Sequence, residues 1–215
     1  MNFLIIPGHN SRADKPRFVA LAQALGNTSV FSAKRVEHVP GEERTLTVSE
    51  EYEQLKAFVK SIPGPRVAIG HSQGGALALR LGFEGLVDGV VCLMGDTSSQ
   101  EDVNHHLANL GRDLHQVREQ GWVRFERDSG QANWYSIEFF EDYLMWNIPI
   151  YATALVAKLC IAGKDDPWNT PEKISALLDE ASEPKEFVCI ECGHNFEEKE
   201  VPEIVAHIKK WIKKI

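Results

Sequence analysis

The chain has 215 residues, 43% of them hydrophobic and 25% charged, with a formal net charge of −8. That length suits one sizeable core, the balance is that of a globular protein, and the acidic excess argues against nucleic acid or an anionic membrane surface as partner. No apolar run approaches the roughly 18 residues of a membrane span, and Met1-Asn2-Phe3-Leu4-Ile5-Ile6-Pro7 lacks the basic start and long apolar stretch of a signal peptide, so a cytoplasmic protein without a membrane span is expected.

Residues 3–6 are continuously apolar, the pattern of a strand buried on both faces. They lead into the loop Pro7-Gly8-His9-Asn10-Ser11. Phe18, Leu21, Ala22 and Leu25 then recur at helical spacing up to Gly26-Asn27, and residues 29–31 predict a short second strand. Residues 34–46, rich in charge and holding Pro40-Gly41, read as loop. Thr47-Val48-Ser49-Glu50 fits a capping box. Tyr52, Leu55, Val59 and Ile62 mark the apolar face of the helix that follows, which Pro63-Gly64-Pro65 ends. Residues 67–70 predict a third strand, residues 74–79 a buried helix, and residues 89–94 a fourth strand closing in Gly95-Asp96.

From about residue 100 to 147 the character changes. Val103, Leu107, Leu110, Leu114 and Val117 form one stripe on an otherwise polar helix, and eight aromatic residues follow from Trp122 to Trp146. Strand character resumes at residues 158–162, before Gly163-Lys164-Asp165-Asp166-Pro167. Thr170 and Pro171 read as N-cap and first residue of a helix. Residues 186–190 are the last strand, and Val201, Ile204, Val205, Ile208, Trp211 and Ile215 give the closing helix its apolar face. Cys92, Cys160 and Cys189 fall in apolar, strand-like runs. Cys189-Ile190-Glu191-Cys192 lacks the second ligand pair of a structural zinc site, so all four cysteines are expected as thiols.

Apolar strands alternating with helices imply a parallel sheet covered on both faces. The expected fold class is α/β: a three-layer sandwich around a mostly parallel sheet of about six strands, as one domain over residues 1–215. Such sheets carry their sites beyond the carboxyl ends of the strands. Pro7-Gly8-His9, Ser72, Asp96, Asp166 and His194 each lie just past a predicted strand end. Gly70-His71-Ser72-Gln73-Gly74 is the sharpest of these signals. A serine at a tight strand-to-helix turn stands clear of the sheet only if the residues two before and two after it lack side chains. The helix behind it points free N–H groups at the same spot.

With these motifs the chain resembles the α/β-hydrolases over nearly its whole length. Gly70-His71-Ser72-Gln73-Gly74-Gly75 resembles the family's nucleophile turn, Gly163-Lys164-Asp165-Asp166-Pro167 its acid loop, and Gly193-His194-Asn195-Phe196 its histidine loop, in the family's order Ser, Asp, His. Pro7-Gly8-His9-Asn10 resembles its oxyanion loop, with Pro7 where many members carry histidine. The family's two leading strands are not evident, which implies a compact member. The resemblance implies Ser72 as nucleophile, His194 as base, Asp166 as the acid that orients it, and the backbone N–H groups of His9 and Gln73 as oxyanion donors. Asp165 and Asp96 compete for the acid's place. His105, His106 and His115 are expected in solvent, His38 in a charged loop, and His71 packed beneath the turn.

The resemblance further implies a small helical lid inserted after the fourth strand, at about residues 100–147. There Trp122, Trp134, Phe139, Tyr143 and Trp146 either line an apolar acyl pocket or form a small core of their own. The implied chemistry is cleavage of a small or medium carboxylic ester through an acyl-enzyme, on a small-molecule acyl substrate, with no cofactor and no metal. The alternatives are the same three residues acting on a thioester, a lysophospholipid or a carbon–carbon bond, and a non-catalytic binding or signalling role. Serine rather than aspartate at the turn speaks against dehalogenase and epoxide hydrolase chemistry.

Overall fold

In a computed structural model, which describes residues 1–126 and 132–215, the elements in chain order are β1 (Asn2–Ile6), α1 (Pro16–Leu25), β2 (Thr28–Val30), β3 (Val36–Val39), β4 (Glu42–Arg44), α2 (Val48–Ser61), β5 (Arg66–His71), α3 (Gln73–Phe83), β6 (Gly89–Leu93), α4 (Ser99–Asn109), α5 (Leu114–Gln120), β7 (Trp122–Glu126), β8 (Ala132–Ser136), α6 (Ile137–Leu144), α7 (Ile148–Ala152), β9 (Ala157–Gly163), α8 (Pro171–Glu180), β10 (Lys185–Ile190) and α9 (Val201–Ile212). They group into two compact units. Met1–Ser32, Lys56–Thr97 and Ile148–Ile215 form the first; Ala33–Leu55 and Ser98–Asn147 form the second, the boundary falling inside α2. Among the described residues no helix is long and apolar enough to cross a membrane.

The first unit holds a six-stranded parallel sheet in the order β10-β9-β6-β5-β1-β2. One row of paired residues, Ile6, Gly70, Cys92, Cys160 and Phe187, crosses five of its strands. Helices cover both faces. On one, Phe3, Ile5, Val67, Ile69, Val91 and Leu93 meet Phe18 and Leu21 of α1 and Ile204, Ile208 and Trp211 of α9. On the other lies α3. A Cβ on Gly82 would approach Val90 to 2.9 Å and Val156 to 2.7 Å, so glycine lets this helix sit close on the sheet. The four central strands are buried almost throughout, which is why they read as unbroken apolar runs.

β10 departs from that reading. As the edge strand it alternates, with Phe187 41% exposed and Cys189 exposed. All four cysteines are free thiols. Thr170 caps α8, accepting from Lys173 N at 3.4 Å, with Pro171 at the first helical position.

The second unit corrects the expectation in four places. Residues 34–46 are not loop but the hairpin β3–β4, turning at Pro40-Gly41 with Gly41 at φ 81°. The insertion is not purely helical. β7 and β8 pair antiparallel, and β8 also runs parallel to β4, giving a sheet in the order β3-β4-β8-β7. Residues 127–131 of the expected insertion lie outside the described ones. The single polar helix is two helices, because Gly111 at φ 61° ends α4 and the Asp113–Gln116 capping box starts α5. His38 lies on β3, its ring 4.1 Å from that of Trp122 and 4.8 Å from that of Trp134. The capping box of α2 forms as predicted: Thr47 N–H donates to Glu50 Oε2 at 2.9 Å and Glu50 N–H to Thr47 Oγ1 at 3.1 Å.

Candidate active site

β5 ends in a turn that only glycines permit. A Cβ on Gly70 would lie 1.9 Å from Gly74 O, and one on Gly74 would lie 2.2 Å from Ile6 O. Between them Ser72 adopts φ 53°, ψ −128°, a region that a residue with a side chain occupies only under strain. The turn is held on its far side by Ser72 N–H donating to Leu93 O at 3.0 Å and Gly75 N–H to Ser72 O at 2.7 Å. Gly8 brings the loop after β1 alongside, since a Cβ there would meet Ser72 Cβ at 2.9 Å.

Ser72 Oγ lies 3.0 Å from His194 Nε2, and His194 Nδ1 lies 2.8 Å from Asp166 Oδ2. A neutral imidazole protonated on Nδ1 donates to the carboxylate and accepts the serine hydroxyl hydrogen. The loops after β9 and β10 meet because Gly163 lacks a side chain; a Cβ there would sit 2.6 Å from Gly193 O. Asp166 is 3% exposed, and its other oxygen accepts from Trp168 N–H at 2.9 Å and Asn169 N–H at 3.0 Å. Burial raises this carboxyl. The hydrogen bond and charge of His194, with the two N–H groups, outweigh burial and leave the carboxyl below its ordinary value. Trp168 sets its ring edge-on to the imidazole, 4.6 Å between centroids.

The competing acids separate by position. Asp165 is exposed, its backbone N–H bonded to Cys192 O at 3.0 Å. Asp96 is buried and meets the serine: Ser72 Oγ lies 3.3 Å from Asp96 Oδ1. The side chains of His9 and Gln73 meet as well. His9 Nδ1 lies 2.8 Å from Gln73 Oε1, and Asn10 Nδ2 donates to His9 Nε2 at 3.1 Å, both satisfied if the proton is on Nδ1. His71 lies beneath the turn, buried, with Nε2–H donating to His194 O at 2.8 Å. Burial lowers its pKa to about 3, so it is neutral.

The five aromatic residues expected at a lid lie in the second unit and pack within it. Trp122 and Trp134 flank His38, and Trp134 Nε1–H donates to Glu42 Oε2 at 2.6 Å. Phe139 and Tyr143 are fully buried in α6, the Tyr143 hydroxyl donating to Asp102 Oδ2 at 3.1 Å. Trp146 packs edge-on against Tyr52. His106 is half-buried where a solvated ring was expected: it lies 5.9 Å from the ring of Phe139, and burial lowers its pKa to about 4.

Sequence reasoning missed Trp168 and Asn169. The signal was present, because Asp166-Pro167-Trp168-Asn169 is a turn sequence whose first carboxylate accepts from N–H groups two and three residues on.

Comparison with known proteins places this geometry in context. Solved structures similar to the chain include the following three. Alpha/beta hydrolase domain-containing protein 10 from mouse has a TM-score of 0.75 at 14% identity, covering 99% of this chain and 90% of that one. The esterase domain of a Rhodothermus marinus protein has a TM-score of 0.69 at 16% identity, covering 99% and 86%. The Paleococcus ferrophilus monoacylglycerol lipase has a TM-score of 0.68 at 16% identity, covering 97% and 93%. No curated protein matches the sequence. The sequence profile of the alpha/beta hydrolase family matches residues 3–208, and the chain belongs to that family.

Proposed function

We propose that this hydrolase cleaves small or medium carboxylic esters through an acyl-enzyme intermediate. The observation that carries the reading is the run of hydrogen bonds from Ser72 through His194 to Asp166, at 3.0 and 2.8 Å, on a strained turn. In the first step His194 Nε2 takes the Ser72 proton as Oγ attacks the ester carbonyl. The carbonyl oxygen becomes an oxyanion, held by the backbone N–H groups of Gln73 and His9. Asp166 keeps the imidazole in the right tautomer and stabilises its cation. His194 then gives the proton to the departing alkoxide, and the acyl group stays on Oγ. Water attacks the acyl-enzyme with His194 again as base, releasing the acid and restoring the hydroxyl.

An esterase domain and a monoacylglycerol lipase among the similar structures favour an ester over a thioester or carbon–carbon bond. A cytoplasmic location is part of this reading, supported by four free thiols.

A fluorophosphonate probe and a panel of p-nitrophenyl esters from acetate upward test the proposal. Labelling of the wild type, none of Ser72→Ala, and turnover of the shorter esters are expected. An unlabelled wild type would favour a binding module, and a labelled protein inert on every ester would move the reading to another acyl bond.

A further inference from the structure

Ser72 Oγ has a second polar neighbour besides the imidazole, and ester cleavage as described makes no use of it. Asp96 Oδ1 lies 3.3 Å from Oγ. Asp96 is 6% exposed and its carboxyl is held in place. Asn169 Nδ2 donates to the same oxygen at 3.1 Å and to Met94 O at 3.0 Å, and the Asp96 N–H donates to Ser72 O at 3.2 Å.

The hydroxyl has one hydrogen, and His194 Nε2 accepts it. Asp96 Oδ1 therefore faces Oγ as one acceptor beside another, in the free serine and in the acyl-enzyme alike. The acyl carbon is one bond from Oγ and the α-carbon two. A substituent on the α-carbon therefore lies within roughly 3–4 Å of Oγ, judging from ordinary bond lengths. Asp96 Oδ1 lies at 3.3 Å from Oγ, so a substituent turned to that side comes within reach of the carboxylate.

We propose that Asp96 is a specificity-determining residue that reads the α-carbon of the acyl group. It favours acyl groups carrying a hydrogen-bond donor there, an ammonium above a hydroxyl, and disfavours those carrying a carboxylate. A donor gives the buried carboxylate a hydrogen that Oγ does not offer it; an anion would be forced against a buried oxygen of like charge. The inference rests on the serine hydrolase reading above.

Four ethyl esters test it on the 215-residue chain near neutral pH: ethyl propanoate, ethyl lactate, alanine ethyl ester and ethyl hydrogen malonate. The expected order of kcat/KM is alanine ester, lactate, propanoate, malonate, with the first and last at least about 100-fold apart, as a close charge pair of reduced dielectric implies. Asp96→Asn, which keeps the shape and removes the charge, is expected to shrink that ratio at least about tenfold. A wild type that cleaves the malonate half-ester as fast as the alanine ester overturns the proposal with no variant needed. An unchanged ratio in Asp96→Asn also overturns it. Fluorophosphonate labelling of the wild type separates the two readings. A labelled protein with a flat ratio sinks only the role of Asp96, whereas an unlabelled, inert protein sinks the hydrolase reading and this one together.

Discussion

His71 Nε2–H donates to the main-chain carbonyl of His194 at 2.8 Å, so the residue before the strained serine holds the loop that carries the imidazole. Its ring is boxed by Phe18, Phe196 and the His194 ring, at 5.9, 5.5 and 5.3 Å. His71→Phe keeps an aromatic ring there and deletes the donor. Stability is expected to fall by about 1–3 kcal/mol, the cost of leaving a buried acceptor unmade. The rate of fluorophosphonate labelling should fall with it, because the imidazole loses its anchor. Urea unfolding and labelling kinetics measure the two effects.

The same residue predicts a pH dependence. Its folded pKa of about 3 lies below the ordinary 6.5. The unfolded chain therefore binds more protons between those values, and stability is lost as the pH falls from 6.5 toward 3. His71→Phe lacks this contribution. The stability gap between wild type and variant, large at pH 7, is expected to narrow steadily on acidification, as thermal melts across that range would record. A constant gap would mean that the ring is not held neutral.

Charge deletion should separate the two neighbouring aspartates. Ser72→Ala and His194→Ala are each expected to lower kcat by about 10⁶, and Asp166→Asn by about 10⁴. Asp165→Asn, on an exposed side chain, should stay within about twofold, as surface changes do. Steady-state kinetics on one p-nitrophenyl ester compare all four.

Gly70, in the turn that carries Ser72, should tolerate nothing larger. A Cβ on Gly70 would sit 1.9 Å from a backbone oxygen that cannot move aside. Gly70→Ala is expected to cost more than about 4 kcal/mol. Gly85→Ala makes the control. Its φ is 69° but nothing lies within 4 Å, so only backbone strain of about 1–2 kcal/mol applies. Denaturant midpoints of the two variants would show the difference.

The sheet of the first unit was legible because its central strands are buried on both faces and so have no polar positions. The β3–β4 hairpin was not, and for a physical reason. Glu42 and Glu43 lie on β4 but pair with Arg124 and Arg35, and Arg44 pairs with Glu50. Charged partners, not apolar alternation, hold that strand, and they leave no period to read. The break between α4 and α5 was hidden by Leu110 and Leu114, which keep helical spacing across it. At the site, the positions past strand ends pointed to loops that the fold brings within hydrogen-bonding distance of one another. What could not be read was the reach of the Asn169 side chain, as distinct from its turn N–H: it matters only because the turn at residues 94–96 and the loop after β9 come within hydrogen-bonding distance in space.

The pairing of β4 with β8, Glu43 opposite Asn133 and Arg44 opposite Trp134, bears on how the chain is born. A ribosome delivers β4 long before β8, so a nascent chain carries an open strand edge while the rest of its sheet is still unsynthesised. The run Glu42-Glu43-Arg44 is suited to that interval, because charge discourages a waiting edge from recruiting a neighbouring chain. Removing those charges should therefore show itself first in the yield of soluble product during synthesis, before any change in the finished enzyme.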